Sequence, residues 1–329
     1  MIEIVALSEA MREAVELAER VAPTNANVLI TGESGSGKDA LASFVHSRSQ
    51  RAAQPLVKID CATLPADLLE AELFGYERGA FTGATEAKPG RMEAAHRGTL
   101  VLDEIAHLSL DAQAKLLRVI EHREFERLGG RKTIAVDARL IALTNADLKN
   151  AVERRAFRDD LFYRLNVVQI RVPALRERRK DIDALTRSLL KTYASKHGRG
   201  PRRLSSGAQD LLLAYEFPGN VRELANIIER AVIVCGDADE VEEPHLPDSV
   251  RLAATQQSRK HRRPTLAEVE SDYIRETLAA TRGNKTEAAK ILGISRKNLY
   301  ERLARENPEV RSQRSEIGKD VSPTNASDD

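Results

Sequence analysis

The sequence has no apolar run approaching the roughly 18 residues that a membrane span requires. Its start, Met1-Ile2-Glu3-Ile4, lacks the basic stretch and apolar core of a secretion signal. The expectation is a soluble, cytoplasmic chain with no membrane partner. Cysteine is scarce: Cys61 and Cys235 lie far apart and form no metal-type or redox pair. A disulfide scaffold is thereby excluded, and two reduced structural thiols are expected. An excess of one charge is also lacking, with 51 Lys and Arg against 50 Asp and Glu, and there is no internal repeat. What remains is 329 residues, 42% hydrophobic and 31% charged, enough for one large or two modest globular cores.

The balanced total conceals an asymmetry. Residues 1–250 carry a net charge of −3 and residues 251–329 a net +4, with +6 concentrated between Arg251 and Glu306. Such a segment suits a polyanion, although a solvated basic surface would look the same.

Residues 9–22 place Met11, Val15, Ala18 and Val21 at helical spacing, and Asn27-Val28-Leu29-Ile30 then reads as a buried strand. Further short apolar runs, at Leu56–Ile59, Thr99–Leu102, Leu140–Leu143 and Val167–Ile170, alternate with helix-length segments such as Leu110 to His122. That alternation predicts a mostly parallel sheet covered by helices. After Pro173 the pattern is helical only, with Asn220 placed to cap the helix running to Val234 and Gly236 to end it. Arg251 to Pro264 reads as an exposed linker, and a third unit begins near Thr265. In that unit Gly283-Asn284 breaks a first helix, and two short helices, Thr286–Leu292 and Ser295–Ala304, flank Gly293 as in a helix-turn-helix. The polar end beyond Pro308 is expected to be disordered.

Gly32-Glu33-Ser34-Gly35-Ser36-Gly37-Lys38 follows a predicted strand and opens a helix, the context that a phosphate loop requires. Its glycines let backbone N–H groups turn toward phosphate oxygens, the helix N-terminus adds its positive dipole end, and Lys38 reaches the terminal phosphates. Asp39 stands where the general pattern has the Ser or Thr that holds Mg²⁺. Leu100-Val101-Leu102-Asp103-Glu104 is an apolar strand ending in two carboxylates, one to sit near a metal and one to act as a base for water. A strand ending in solvated acids is the plainer reading of those carboxylates alone. Beside a phosphate loop, they indicate a nucleotide triphosphatase.

These motifs resemble those of the bacterial enhancer-binding proteins, the AAA+ ATPase activators of sigma-54 RNA polymerase, from about Val5 to Leu303. In that family an acidic residue normally follows the loop lysine, as Asp39 does. Most diagnostic is Phe74-Gly75-Tyr76-Glu77-Arg78-Gly79-Ala80-Phe81-Thr82-Gly83-Ala84, whose last six residues reproduce the family's sigma-contacting loop. Gly79 and Gly83 permit sharp bends that present Phe81 and Thr82 at a loop tip, where an exposed aromatic can anchor another protein. The alternative for the hexapeptide alone is a glycine turn with Phe81 in the local core.

The resemblance implies further roles. Asn145, after the strand Leu140–Leu143, resembles the first sensor. Arg158 and Arg164, within Phe157–Asn166, resemble arginine fingers that reach the neighbouring subunit's ATP. Arg222, in Phe217-Pro218-Gly219-Asn220-Val221-Arg222, resembles the second sensor. Asp60 stands where the family often has Asn, and Phe217 where it usually has Trp. Gly283 to Tyr300 resembles the Fis-type DNA-binding module, with Ala288 and Ala289 allowing close helix approach. Ser295 would cap its second helix, leaving Arg296, Lys297 and Asn298 for base edges, while Lys285, Thr286 and Arg302 suit phosphates.

The expected fold is therefore α/β: an AAA+ parallel sheet over residues 1–172 with a helical lid over 173–250, a linker over 251–264, an all-α Fis-type helix-turn-helix over 265–307 and a tail over 308–329. Implied ligands are ATP and Mg²⁺, with Asp103 toward the metal. Implied partners are sigma-54 RNA polymerase holoenzyme, double-stranded enhancer DNA and other copies of the chain, from a dimer to a hexameric ring. The family's usual N-terminal receiver or sensory domain is not expected here, so regulation would fall to expression, oligomerisation or a separate protein. The rival expectation is a sigma-54-independent DNA-binding regulator whose AAA+ domain serves oligomerisation.

Overall fold

The computed structural model describes residues 4–198, 200, 203–236, 238–252, 266–281 and 283–306, with side chains over 270–281 and 283–303 in the last two stretches. The expected tail and most of the expected linker lie outside the described residues. The chain divides into two compact units, residues 1–254 and 255–329, taken separately below.

In the first unit, α1 (Glu9–Val21) leads into β1 (Val28–Thr31), α2 (Lys38–Ser47), β2 (Leu56–Asp60) and α3 (Ala66–Phe74). A small antiparallel pair, β3 (Gly75–Tyr76) and β4 (Lys88–Pro89), precedes α4 (Arg91–Ala94), β5 (Thr99–Asp103) and α5 (Leu110–His122). A second such pair, β6 (Glu124–Glu126) and β7 (Thr133–Ala135), leads to β8 (Arg139–Thr144), α6 (Leu148–Glu153), α7 (Asp159–Leu165) and β9 (Val168–Arg171). The five long strands pair in parallel in the order β2-β5-β8-β1-β9.

The apolar runs of the inner strands owe their continuity to burial on both faces: all six residues of β8 and the first four of β5 are buried. One core packs Leu73, Phe74, Leu116 and Leu161 on one side of the sheet, and a second packs Met11, Ala18, Leu41 and Val45 on the other. Arg139, 1% exposed at the start of β8, donates to the carbonyls of Val21, Ala22 and Ala26 at 3.0, 2.6 and 3.3 Å. It thereby ties the end of α1 and the turn after it to the sheet.

Beyond Pro173 come α8 (Ile182–His197), α9 (Ser206–Ala214) and α10 (Asn220–Cys235), packed on Leu190, Leu212, Phe217 and Ile228. The expectation of helices only needs correction, because β10 (Arg203–Leu204) and β11 (Glu240–Val241) form a short parallel pair. Gly236 ends α10 with φ 61°, as expected. Asn220 does not cap α10: Gly219 holds that position, and Asn220 is the first helical residue, fully buried with φ 54°.

The second unit holds α11 (Leu266–Ala280), α12 (Lys285–Ile291) and α13 (Arg296–Glu306). Asn284 accepts from the N–H groups of Thr286 and Glu287 and so starts α12. Ile274, Ala288, Ala289 and Leu299 form the small core, the two alanines letting the helices approach closely. Among the described residues, no helix is long and apolar enough to cross a membrane. Cys61 and Cys235 are buried free thiols.

Candidate nucleotide site and adjoining loops

Parallel pairing brings three segments to one sheet edge, because a parallel sheet places all its carboxyl ends together. The loop Gly32–Gly37 leaves β1, Asp103 and Glu104 leave β5, and Asn145 leaves β8, which lies between the other two. Gly35 and Gly37 have φ of 73° and 105°, a backbone that L side chains rarely adopt. The loop ends at the N-terminus of α2, whose first N–H groups have no intrahelical acceptor. Lys38 is 6% exposed, and its ammonium donates to the carbonyls of Gly32 at 2.9 Å and Glu33 at 3.3 Å. Ser36 Oγ is buried without a hydrogen-bond partner.

In an extended strand Asp103 and Glu104 would face opposite sides of the sheet. Glu104 instead has φ 51° and ψ 52°, and this left-handed turn brings its carboxylate to the lysine. Glu104 Oε1 lies 3.4 Å from Lys38 Nζ, and Oε2 accepts from the Asn145 backbone N–H at 3.1 Å. Burial, reinforced by the nearby Asp39, raises the Asp103 carboxyl above its ordinary range. Lys58 on β2 offsets this, pairing with Asp103 at 3.4 Å and with Asp39. Hard carboxylate oxygens at one sheet edge, beside a glycine-rich loop and the first N–H groups of α2, fit a magnesium-bound triphosphate. Asp60, at the family's asparagine position, accepts instead from the Ala62 N–H within its own turn.

The helical segment closes over the same loop. Arg222 Nη1 donates to Ser34 Oγ at 2.9 Å, and the N–H groups of Val221 and Arg222 point to the Gly35 carbonyl at 3.0 and 3.4 Å. Asn220 Nδ2 donates to Glu33 Oε2 at 3.1 Å and to the Ser34 carbonyl at 3.0 Å, while its Oδ1 accepts from Leu175 N–H at 2.8 Å. Arg176 pairs with both oxygens of Glu33.

Arg158 lies just before α7 and Arg164 on it, away from the loop glycines in sequence and held by acids of their own chain. Arg158 chelates Asp160 at 3.0 and 2.7 Å, and Arg164 meets Glu121 at 3.0 Å. Gln113, fully buried on α5, was not singled out from sequence, yet it sets this segment's position. Its Oε1 accepts from Arg158 N–H at 2.8 Å, and its Nε2 donates to the carbonyls of Leu108 and Ala156 at 2.8 and 3.1 Å.

The loop Gly79–Ala84 lies between β3 and β4 and closes on itself, with Gly79 N–H donating to the Ala84 carbonyl at 2.8 Å. Gly79 and Gly83 have φ of 83° and 105°. Phe81 is 41% exposed, resting edge-on against Tyr76 at 4.9 Å, and Thr82 is exposed; Ala84 is buried. Ala80 is half-buried, its backbone close to Gly129, where an added Cβ would come within 2.9 Å. Glu77 N–H donates to the Leu128 carbonyl, and Arg127 joins Glu77 and Glu93, so the loop's base is tied to the β6–β7 connection.

In the second unit Ser295 Oγ accepts from Asn298 N–H at 3.2 Å, and Arg296, Lys297 and Asn298 are exposed at the start of α13. Lys285 and Thr286 are exposed, with the Lys285 ammonium 4.8 Å from the Tyr300 ring centroid. Arg302 is engaged by Glu270 of the same unit, which the sequence did not foretell.

Comparison with known proteins matches three family models in succession: the Sigma-54 interaction domain over residues 4–171, the AAA+ ATPase lid domain over 176–263, and the bacterial regulatory protein, Fis family, over 265–305. The transcriptional regulatory protein FlbD of Caulobacter vibrioides is 45% identical over 310 residues, covering 89% of this chain and 68% of the relative. The regulatory protein AtoC of Escherichia coli is 43% identical over 304 residues, covering 90% and 66% respectively. Crystal structures of NtrX from Brucella abortus in complex with ATP and with ADP align with TM-scores of 0.71 and 0.72. Their identities are 37% and 36%, and each alignment covers 92% of this chain and 68% of the other.

Proposed function

The chain belongs to the sigma-54-dependent transcriptional activators, and we propose that it holds enhancer DNA through residues 265–307 and uses ATP hydrolysis in a ring of copies to remodel sigma-54 RNA polymerase into the open complex. The observation that carries this reading is the pairing, in one α/β unit, of a phosphate loop and carboxylates with an intact Gly79–Ala84 loop whose Phe81 and Thr82 are exposed. A regulator that used its nucleotide domain only for assembly would have no need to present that hexapeptide.

In this proposal the loop amides from Gly35 to Asp39 and the α2 dipole hold the phosphates, and Lys38 donates to them. Asp103, with Asp39 near it, would hold magnesium, which neutralises charge on the phosphate oxygens. Glu104 orients and deprotonates the attacking water, and the Asn145 N–H bond fixes the direction of its carboxylate. Arg222 meets the nucleotide from the lid side. Arg158 and Arg164 exchange their exposed acidic partners for the phosphates of a neighbouring copy, stabilising charge that develops during transfer. In the second unit Arg296, Lys297 and Asn298 suit major-groove base edges, and Lys285 and Thr286 suit phosphates.

The test is retention of purified sigma-54 with ADP and aluminium fluoride, with no nucleotide, and with a Thr82→Ala variant. Retention confined to the aluminium fluoride state and lost in the variant is the expected result. Absence of retention in every state, with ATP hydrolysis intact, would favour the sigma-54-independent regulator instead.

A further inference from the structure

A carboxylate next to a polyphosphate is electrostatically unfavourable unless it is turned away and neutralised. Glu33, second residue of the phosphate loop, meets both conditions. Its oxygens face Arg176, on the connection from sheet to lid, at 2.8 and 2.5 Å, and Asn220 at the start of α10 at 3.1 Å. The Arg176 hydrogen bonds, then that of Asn220, hold the Glu33 carboxyl down at about 2, so it is ionised throughout the physiological range.

The lid side of this contact is built to a tight tolerance. Asn220 is fully buried and adopts φ 54°, a conformation with an energetic cost that persists only where surrounding groups enforce it. Those groups are Glu33, the Ser34 carbonyl and Leu175 N–H. Gly35 lies so close that an added Cβ would come within 2.4 Å of the Gly219 carbonyl and 3.0 Å of Arg222 Cβ. Arg222 follows Asn220 by two residues and reaches Ser34 Oγ from there.

We propose that Glu33 is a lid-positioning residue: through Arg176 and Asn220 it sets where α10 begins, and so holds Arg222 over the phosphate loop. This rests on the reading of Arg222 as a nucleotide contact. Glu33 itself need touch no phosphate for its loss to be felt there.

The experiment compares a fluorescent ATP analogue binding to the full chain and to Glu33→Ala, Arg222→Ala and the double variant. A residue acting only through another adds nothing once that other is gone. Each single change is expected to weaken binding about tenfold, the scale of a lost charged hydrogen bond, and the double change by about tenfold also, where independent sites would give about a hundredfold. In parallel, exchange of the Val221 and Arg222 amides with deuterium in the nucleotide-free protein is expected to quicken in Glu33→Ala, with the melting temperature little changed. A multiplicative loss in the double variant overturns the proposal, as does unchanged amide exchange. If Arg222→Ala weakens binding and Glu33→Ala does not, this inference alone fails. If Arg222→Ala has no effect, the reading of Arg222 as a nucleotide contact fails and takes this inference with it.

Discussion

Replacing Gln113 by leucine keeps the side chain's size but removes its amide. Three partners then lose their hydrogen bonds: the buried carbonyl of Leu108 and, nearer the surface, the carbonyl of Ala156 and the N–H of Arg158. Each lost bond costs about 1 kcal/mol, the Leu108 carbonyl left dry and unpaired costs about 1.5 kcal/mol more, and burying leucine returns about 1.5 kcal/mol. The net loss is about 3 kcal/mol. For a unit of this size that is a fall in melting temperature of roughly 6–12 °C, measurable by calorimetry on the full chain. Because Gln113 makes none of the contacts around Gly32–Asp39, nucleotide binding at low temperature should change less than twofold. Steady-state ATP turnover in the assembled protein should drop severalfold, since the Arg158 backbone has lost its anchor. A melting shift below about 2 °C would show that the amide is not holding this segment, and parallel loss of nucleotide binding would refute the assignment of its effect to Arg158.

Glu104→Gln should preserve nucleotide binding and lower turnover by about 10²–10³-fold, the scale of a lost general base, as measured by phosphate release; turnover within threefold of the parent would remove Glu104 from that role. Burial lowers the His46 imidazole below its ordinary value of 6.5, and its Nδ1 sits 2.9 Å from Thr99 Oγ1. The unfolded chain therefore takes up a proton at a pH where the folded ring stays neutral, so stability is present above the ordinary value and is lost as pH falls from there toward the folded value. Denaturation midpoints between pH 7.5 and about 5 should fall less steeply in His46→Gln, and identical slopes would exclude this histidine as a source.

The sheet's inner strands were legible because they are buried on both faces, which leaves uninterrupted apolar runs such as Leu140 to Leu143 and Leu100 to Leu102. The phosphate loop and its glycines were legible for a local reason too: their backbone needs are written in seven consecutive residues. Asn220 misled because capping rules look only at neighbours, whereas its conformation is set by Glu33 and Leu175, separated from it by 187 and 45 positions. Gln113, Arg176 and Lys58 carry no local signature. A polar residue on an amphipathic helix, an arginine after a strand and a lysine in an edge strand are ordinary until the fold supplies their partners.

The left-handed turn at Glu104 bears on how the protein can change over generations. Glycine would relieve the steric cost of that backbone, while releasing Lys38 and the Asn145 N–H from their carboxylate. On the proposed reading the same replacement removes the base for water. A descendant with glycine at position 104 would then bind nucleotide and spend none, so the strained backbone at Glu104 is a cost of folding that turnover, on this reading, requires.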